Sequence, residues 1–195
     1  MKLTLQMVLV LGLITLLSGL FLSTLNRWAE PRIEEHRRER IVTAINQLYP
    51  GDPAHQQIAT YADQQPIYIC YDETGDTLGY AFQARGSGYS DEIRLMIGLT
   101  PELDNLTGIF VLEQTETPGL GARIAEEDFR ESFAELSLDS ETPDIRLVQQ
   151  NPETTAVAAI TGATISSKSV VRIINRSRPQ VKRVLQDFGK GGKIE

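Results

Sequence analysis

Cysteine, histidine and tryptophan are nearly missing: the 195 residues hold one Cys, two His and one Trp. The lone Cys70 excludes an intrachain disulfide. His36 and His55 stand apart from one another and from any cluster of metal ligands, so both read as surface histidines and no metal site is expected. Positive charge is scarce in the middle of the chain. Between Asp52 and Thr164 there are 20 acidic residues against 5 basic ones, Arg85, Arg94, Arg123, Arg130 and Arg146. That excess excludes a nucleic-acid surface and favours docking to basic partners. From Arg172 to Lys193 the balance reverses, with Arg172, Arg176, Arg178, Lys182, Arg183, Lys190 and Lys193 against only Asp187. No internal repeat or low-complexity tract is present, which removes the solenoid architectures.

Charge of either sign is absent from Leu3 to Asn26. Those roughly 24 residues, as a helix rising about 1.5 Å per residue, cover about 36 Å, more than the ~30 Å of a hydrocarbon core. A cleaved signal peptide would have a shorter apolar region of about 7–15 residues and a small-residue cleavage site, so an uncleaved anchor, residues 1–27, is expected. Trp28 suits the membrane interface and Pro31 the first turn of a juxtamembrane helix, residues 28–50, which Pro50-Gly51 ends. Lys2 precedes the anchor, whereas Arg27, Arg32, Arg37, Arg38 and Arg40 follow it, and this asymmetry alone draws the C-terminal part toward the cytoplasm.

The remaining length accommodates one domain of ordinary size, residues 51–189, with a tail at 190–195. Short runs rich in β-branched and aromatic residues predict strands over Ile67 to Tyr71, Thr77 to Ala84, Ile93 to Leu99, Gly108 to Glu113, Ile145 to Val148 and Ala156 to Ile160. Glu73-Thr74-Gly75-Asp76 predicts a hairpin turn. Phe129, Phe133 and Leu136 fall on one face of a helix expected from Ala125 to Leu136. A last helix is expected from Ser166, with Val170, Val171, Ile173 and Ile174 buried and Pro179 kinking or interrupting it. The class is α+β.

Two stretches carry the chemistry. Thr161-Gly162-Ala163-Thr164, followed by Ile165-Ser166-Ser167, puts a hydroxyl on a tight turn that opens a helix. Gly162 and Ala163 leave room for a phosphate to approach the backbone, and the helix start offers it unpaired N–H groups. The plainer reading is that Thr161 or Thr164 only caps the helix. In Glu116-Thr117-Pro118-Gly119-Leu120-Gly121, Pro118 and Gly119 suit the central positions of a type II turn. A nucleotide-binding loop is a further reading, since Gly162 to Ser169 departs from that pattern only at Ser167, but too little chain follows to build the sheet such a loop requires.

Together these stretches resemble the FMN-binding domain found in the G subunit of the Rnf electron-transport complex and in the C subunit of the sodium-pumping NADH:quinone reductase. The likeness runs from about Gly79 to Asn175 and includes Ile93-Arg94-Leu95-Met96-Ile97-Gly98. It implies FMN joined through a phosphoester to Thr164, with Thr161, Gly162, Ala163, Ser166 and Ser167 around the phosphate, Lys168 as a counter-charge, and Glu116, Thr117, Leu120 and Gly121 against the ring. Gly86-Ser87-Gly88-Tyr89 reads either as a further wall or as a plain Gly-rich loop. The family motif usually has Asp three residues before the first Ser/Thr, and here that position is Ala158. The resemblance also implies a separate metal-dependent flavin transferase and partner subunits that carry iron-sulfur clusters or flavin. The domain is expected on the periplasmic side of a bacterial inner membrane, against the arginine asymmetry. The chain is then one electron-carrying component of an ion translocase, without turnover alone, since a single helix lacking intramembrane charge offers no ion path. The alternatives are a non-enzymatic extracytoplasmic flavin-binding sensor or assembly module, and an anchor without cofactor.

Overall fold

In the computed structural model, residues 2–134, 136, 138, 144–149 and 155–189 are described. Two compact units divide the chain, Met1–Arg40 and Ile41–Glu195.

The first unit is helical and belongs to α1 (Lys2–Leu48). Its apolar side chains from Leu5 to Leu25 are exposed, and the helix is long and apolar enough to cross a membrane. A separate juxtamembrane helix starting at Pro31 is not found. The helix continues through this residue, giving up only the N–H that would have bonded to the carbonyl of Arg27.

In the second unit the strands β1 (Ala54–Tyr61), β2 (Gln65–Tyr71), β3 (Thr77–Ser87), β4 (Glu92–Leu99) and β5 (Leu106–Glu113) form an antiparallel meander in that order. Its register aligns Ile67 with Phe82, Phe82 with Ile97, and Ile97 with Ile109. Alternation then sends Ile93, Leu95, Ile97 and Leu99 to one face and Met96 to the other. Both faces are covered. On the first lies α3 (Thr164–Gly189), whose Val170, Ile173, Ile174 and Val181 are buried with Phe82 and Ile97. On the second, Ala44, Ile45, Leu48 and Tyr49 close over Cys70, Ala81 and Met96. Burial pushes the Cys70 thiol up to about 12, so it packs as a small hydrophobe. A parallel pair, β6 (Arg146–Val148) and β7 (Ala156–Ala158), stands outside the main sheet.

The expected strands are present, β3 running further and β7 ending earlier than the sequence suggests. β1 was not anticipated. The hairpin turn forms as expected, with Asp72 Oδ1 accepting the N–H groups of Thr74 at 2.9 Å and Asp76 at 2.8 Å. The helix expected from Ala125 to Leu136 is instead a 3-10 turn, Gly121–Ala125, followed by α2 (Glu127–Glu131). Phe129, Phe133 and Leu136 still reach the core, so the apolar face was right and the helical length was not. Residue 135 lies outside the described residues, as does the 190–195 tail. α3 passes through Pro179 without interruption, because that position is exposed and Val181 and Leu185 beyond it are buried on the sheet.

The Tyr49 hydroxyl fixes the sheet's second face. It lies 2.8 Å from the carbonyl oxygen of Leu99 and 2.9 Å from that of Tyr80, and accepts the Leu99 N–H at 3.1 Å. Burial holds the phenol well above its usual pKa, so it stays protonated and donating. Tyr49→Phe is expected to cost about 1–3 kcal/mol, since it strands a buried N–H and carbonyl. In urea titration of the full chain in detergent, the midpoint falls while the slope is unchanged.

Candidate functional site

Two turns of the same kind, far apart in sequence, meet at one cavity. In the first, the Leu120 N–H bonds to the Thr117 carbonyl at 3.2 Å and Gly119 has φ +73°. In the second, the Ala163 N–H bonds to the Ile160 carbonyl at 2.9 Å and Gly162 has φ +81°. A positive φ at the third residue is the type II signature that glycine supplies without strain. Between them lies a cavity of about 380 Å³, within the range of small-molecule sites, about 300–1,000 Å³. Glu116, Thr117, Leu120 and Gly121 line one side; Gly162, Ala163, Thr164, Ile165 and Ser166 line the other, and Tyr89 joins them.

α3 begins at Thr164, and the Ser167 N–H makes its first helical bond, to the Ala163 carbonyl at 3.0 Å. The N–H groups of Thr164, Ile165 and Ser166 therefore have no helical acceptor, and they give this wall the positive end of the helix dipole. The Thr164 side chain is exposed, and among the described residues neither its hydroxyl nor that of Thr161 has a hydrogen-bond partner. A capping role for either threonine thus finds no bond to carry it. Ser167 holds the turn from inside: its hydroxyl donates to the Ala163 carbonyl at 3.0 Å and accepts the Ile160 N–H at 3.1 Å.

Glu116 is the other organising group. It is buried, and its Oε1 accepts the N–H groups of Tyr89 at 2.8 Å and Ser90 at 2.9 Å, while Oε2 accepts the Ser166 hydroxyl at 2.5 Å. Burial alone would raise its pKa, but the Ser166 hydroxyl and the N–H groups of Ser90, Tyr89 and Asp91 prevail and hold the carboxyl below the usual value. A buried carboxylate thereby ties the β3–β4 turn and the 116–121 loop to the first turn of α3. Gly121 is needed beside it: a Cβ there would come within 2.6 Å of both Glu116 Oε2 and Ser166 Oγ.

The rim has the opposite character. Beyond α1, the exposed large apolar side chains among the described residues are Tyr89 (66 %), Leu120 (47 %) and Ile165 (56 %), and all of them line this cavity. Apolar surface gathered at one pocket marks a binding site. An apolar rim beside a row of free N–H groups fits a ligand with a flat apolar part and an anionic end.

A model of the FMN-binding domain matches residues 88–178, the stretch from the β3–β4 turn into α3. The G subunit of the ion-translocating oxidoreductase complex of Cereibacter sphaeroides is 30 % identical over 179 residues, covering 86 % of this chain and 80 % of that one. The chain belongs to the FMN-binding domain family. The corresponding protein of Methanosarcina acetivorans is 34 % identical over 112 residues, 56 % of either chain, and the chain spans little more than half the length of that relative. Among solved structures, NqrC of Shewanella oneidensis has a similar fold, with a TM-score of 0.55 at 23 % identity over 58 % of this chain and 55 % of that one.

Within this FMN-binding domain, nine of the residues singled out in the sequence share one cavity: Tyr89, Glu116, Thr117, Leu120, Gly121, Gly162, Ala163, Thr164 and Ser166. Thr161 and Ser167 do not line it; the first is exposed on the turn and the second is buried beneath it. Lys168 is exposed one turn beyond Thr164 and lines a second cleft that Thr164 shares, not this cavity. Ala158 ends β7, paired with Val148. Sequence reasoning missed the Tyr89 and Ser90 N–H groups as the partners of Glu116, and Ile165 as a rim residue. The Gly-Ser-Gly run before Tyr89 hinted at a close approach, but nothing local names its partner 26 to 27 residues on.

Proposed function

We propose that this chain is a membrane-anchored flavoprotein subunit that carries FMN as a phosphoester of Thr164 and relays electrons within an Rnf-type ion-translocating complex. The observation that carries the reading is the exposed Thr164 hydroxyl, without a partner among the described residues, set at the start of α3 in the wall of an apolar-rimmed cavity that both motifs line. Membership of the FMN-binding domain family supports FMN as the ligand, and relatives from ion-translocating oxidoreductase complexes support the setting. When bound, FMN supplies the redox chemistry. The chain's own part is attachment, orientation and electrostatics. The free N–H groups of Thr164, Ile165 and Ser166 would hold the phosphate, and Tyr89, Leu120 and Ile165 would cover the ring. The Glu116 carboxylate disfavours added negative charge on the ring.

Thr164 has no base beside it among the described residues and needs an outside enzyme to react. In the proposed loading step, Thr164 Oγ attacks the flavin-bearing phosphorus of flavin adenine dinucleotide. The Oγ–P bond forms and the bond from that phosphorus to AMP breaks. AMP leaves with the electron pair, and the hydroxyl proton passes to a base of the metal-dependent transferase. Electron donor and acceptor are neighbouring subunits, and the soluble domain faces the periplasm.

The test is the intact mass of protein purified from its own host, where the transferase is present; an FMN-sized increment is expected. Ala158, in place of the family's usual Asp, favours a second reading in which the flavin is held without a bond. In that case colour is lost on denaturation and the mass is that of the bare chain.

A further inference from the structure

We propose that the exposed cationic face of α3, with the cleft beside it, is the landing surface for the enzyme that modifies Thr164, and that this enzyme meets it with an acidic surface. The inference rests on the reading of Thr164 as the attachment point.

Thr164, Lys168, Arg172 and Arg176 follow one another at four-residue intervals and are exposed, so they run along one face of α3 with the threonine at its head. Lys182 and Arg183 continue the exposed face, and the first acidic residue met along the helix is Asp187. The rest of the domain is strongly acidic, with 20 acidic and 5 basic residues between Asp52 and Thr164.

Apart from Arg130, which bonds to Gln47 and the Ala125 carbonyl, and Arg178, which is engaged with Asp144, the cations of the two regions are also used differently. Arg85 is paired with Asp63 and Glu92, Arg94 with Glu92 and Glu113, and Arg123 with Glu126. Lys168, Arg172, Arg176, Lys182 and Arg183 have no carboxylate partner among the described residues. Their charge is left for something outside the domain.

A cleft shows where that partner sits. Between α3 and β6 lies a space of about 860 Å³ with Leu147 and Val171 on its floor and Lys168, Arg172 and Arg176 along its edge. Thr164 lines this cleft and the smaller cavity alike. Asp144, the cleft's acidic residue, is engaged by the charge of Arg178. An acidic segment laid in the cleft therefore passes Thr164, and the acidic excess of the residues from Asp52 to Thr164 disfavours the same segment elsewhere. Complementarity of this kind sets orientation and association rate more than final affinity.

The experiment follows flavin loading of the full-length chain in detergent by purified transferase, flavin adenine dinucleotide and divalent metal, read as fluorescence of the denatured band over time. Arg172→Glu/Arg176→Glu is expected to load about tenfold more slowly than wild type at low salt and to reach the same final extent. At about 0.5 M salt, where the screening length is only a few ångströms, the two rates converge. Arg172→Gln/Arg176→Gln, which removes charge without reversing it, falls between them, and unchanged melting of both variants excludes a folding defect. Equal rates at low salt overturn the proposal. So does loss of binding to phosphatidylglycerol vesicles with loading intact, which would assign the face to lipid. Wild type that takes up no flavin at any salt removes the Thr164 reading and this surface together, whereas normal loading of the charge-reversed chain removes only the surface.

Discussion

Thr164→Ala is expected to abolish the flavin adduct entirely while leaving the domain folded. The two halves of that result have separate physical grounds. Attachment requires an oxygen nucleophile at the head of α3, and alanine has none. Folding requires little of the same side chain, because it is exposed and, among the described residues, makes no hydrogen bond. Alanine is the best helix former, and loss of a threonine at a helix start costs about 1 kcal/mol at most here. Thr164→Ser keeps the hydroxyl and restores the adduct. Ser166→Ala removes a hydroxyl two residues on that already donates to Glu116, and so retains the adduct at a reduced melting temperature. Intact mass and in-gel fluorescence of the variants made in the native host read all of these. An adduct that persists on Thr164→Ala would falsify the assignment.

Glu116→Ala is expected to have the largest effect on stability. The substitution strands the N–H groups of Tyr89 and Ser90 and the Ser166 hydroxyl at once, in a site already tightly packed at Gly121. Hydrogen bonds to a charged group are worth about 1.5–3 kcal/mol each and do not add in full, so a loss of about 3–5 kcal/mol is expected. Glu116→Gln keeps an oxygen for the two N–H groups and costs about 1–2 kcal/mol.

The pH profile separates charge from shape. The folded carboxyl titrates below its ordinary value of 4.5, so the stability it contributes is complete above that value and drains away as pH falls through the lower, folded one. Wild type should lose its advantage over Glu116→Gln across this acid range in denaturant titrations. A constant gap from neutral pH down through the acid limb contradicts the assignment of Glu116 as a buried anion.

What could be read from the chain divides by range. Pro118-Gly119 and Gly162 announce their turns because the requirement for a positive φ is met by one residue with its immediate neighbours. Strands β2 to β5 announce themselves by buried, β-branched alternation. β1 does not: His55, Gln56, Gln57 and Thr60 give it the composition of a loop, and it is a strand because the edge of β2 offers hydrogen bonds to it. Pro31 and Pro179 mislead for a related reason. Proline weakens a helix by a fixed local amount, and at Pro179 the burial of Val181 and Leu185 outweighs it. The tie between Glu116 and Ser166, 50 residues apart, has no local signature at all. Its members were found as parts of two motifs, but their joining is a property of the fold.

The carboxylate of Glu116 also sets an order of events. It and its partners come from three stretches of chain, and Ser166 is the last of them to leave the ribosome. The smaller cavity, which the two motifs share at Thr164, is complete only when that serine has docked. A transferase that requires that cavity would then discriminate finished molecules from nascent or misassembled ones, so that colour in the membrane reports maturity as well as occupancy.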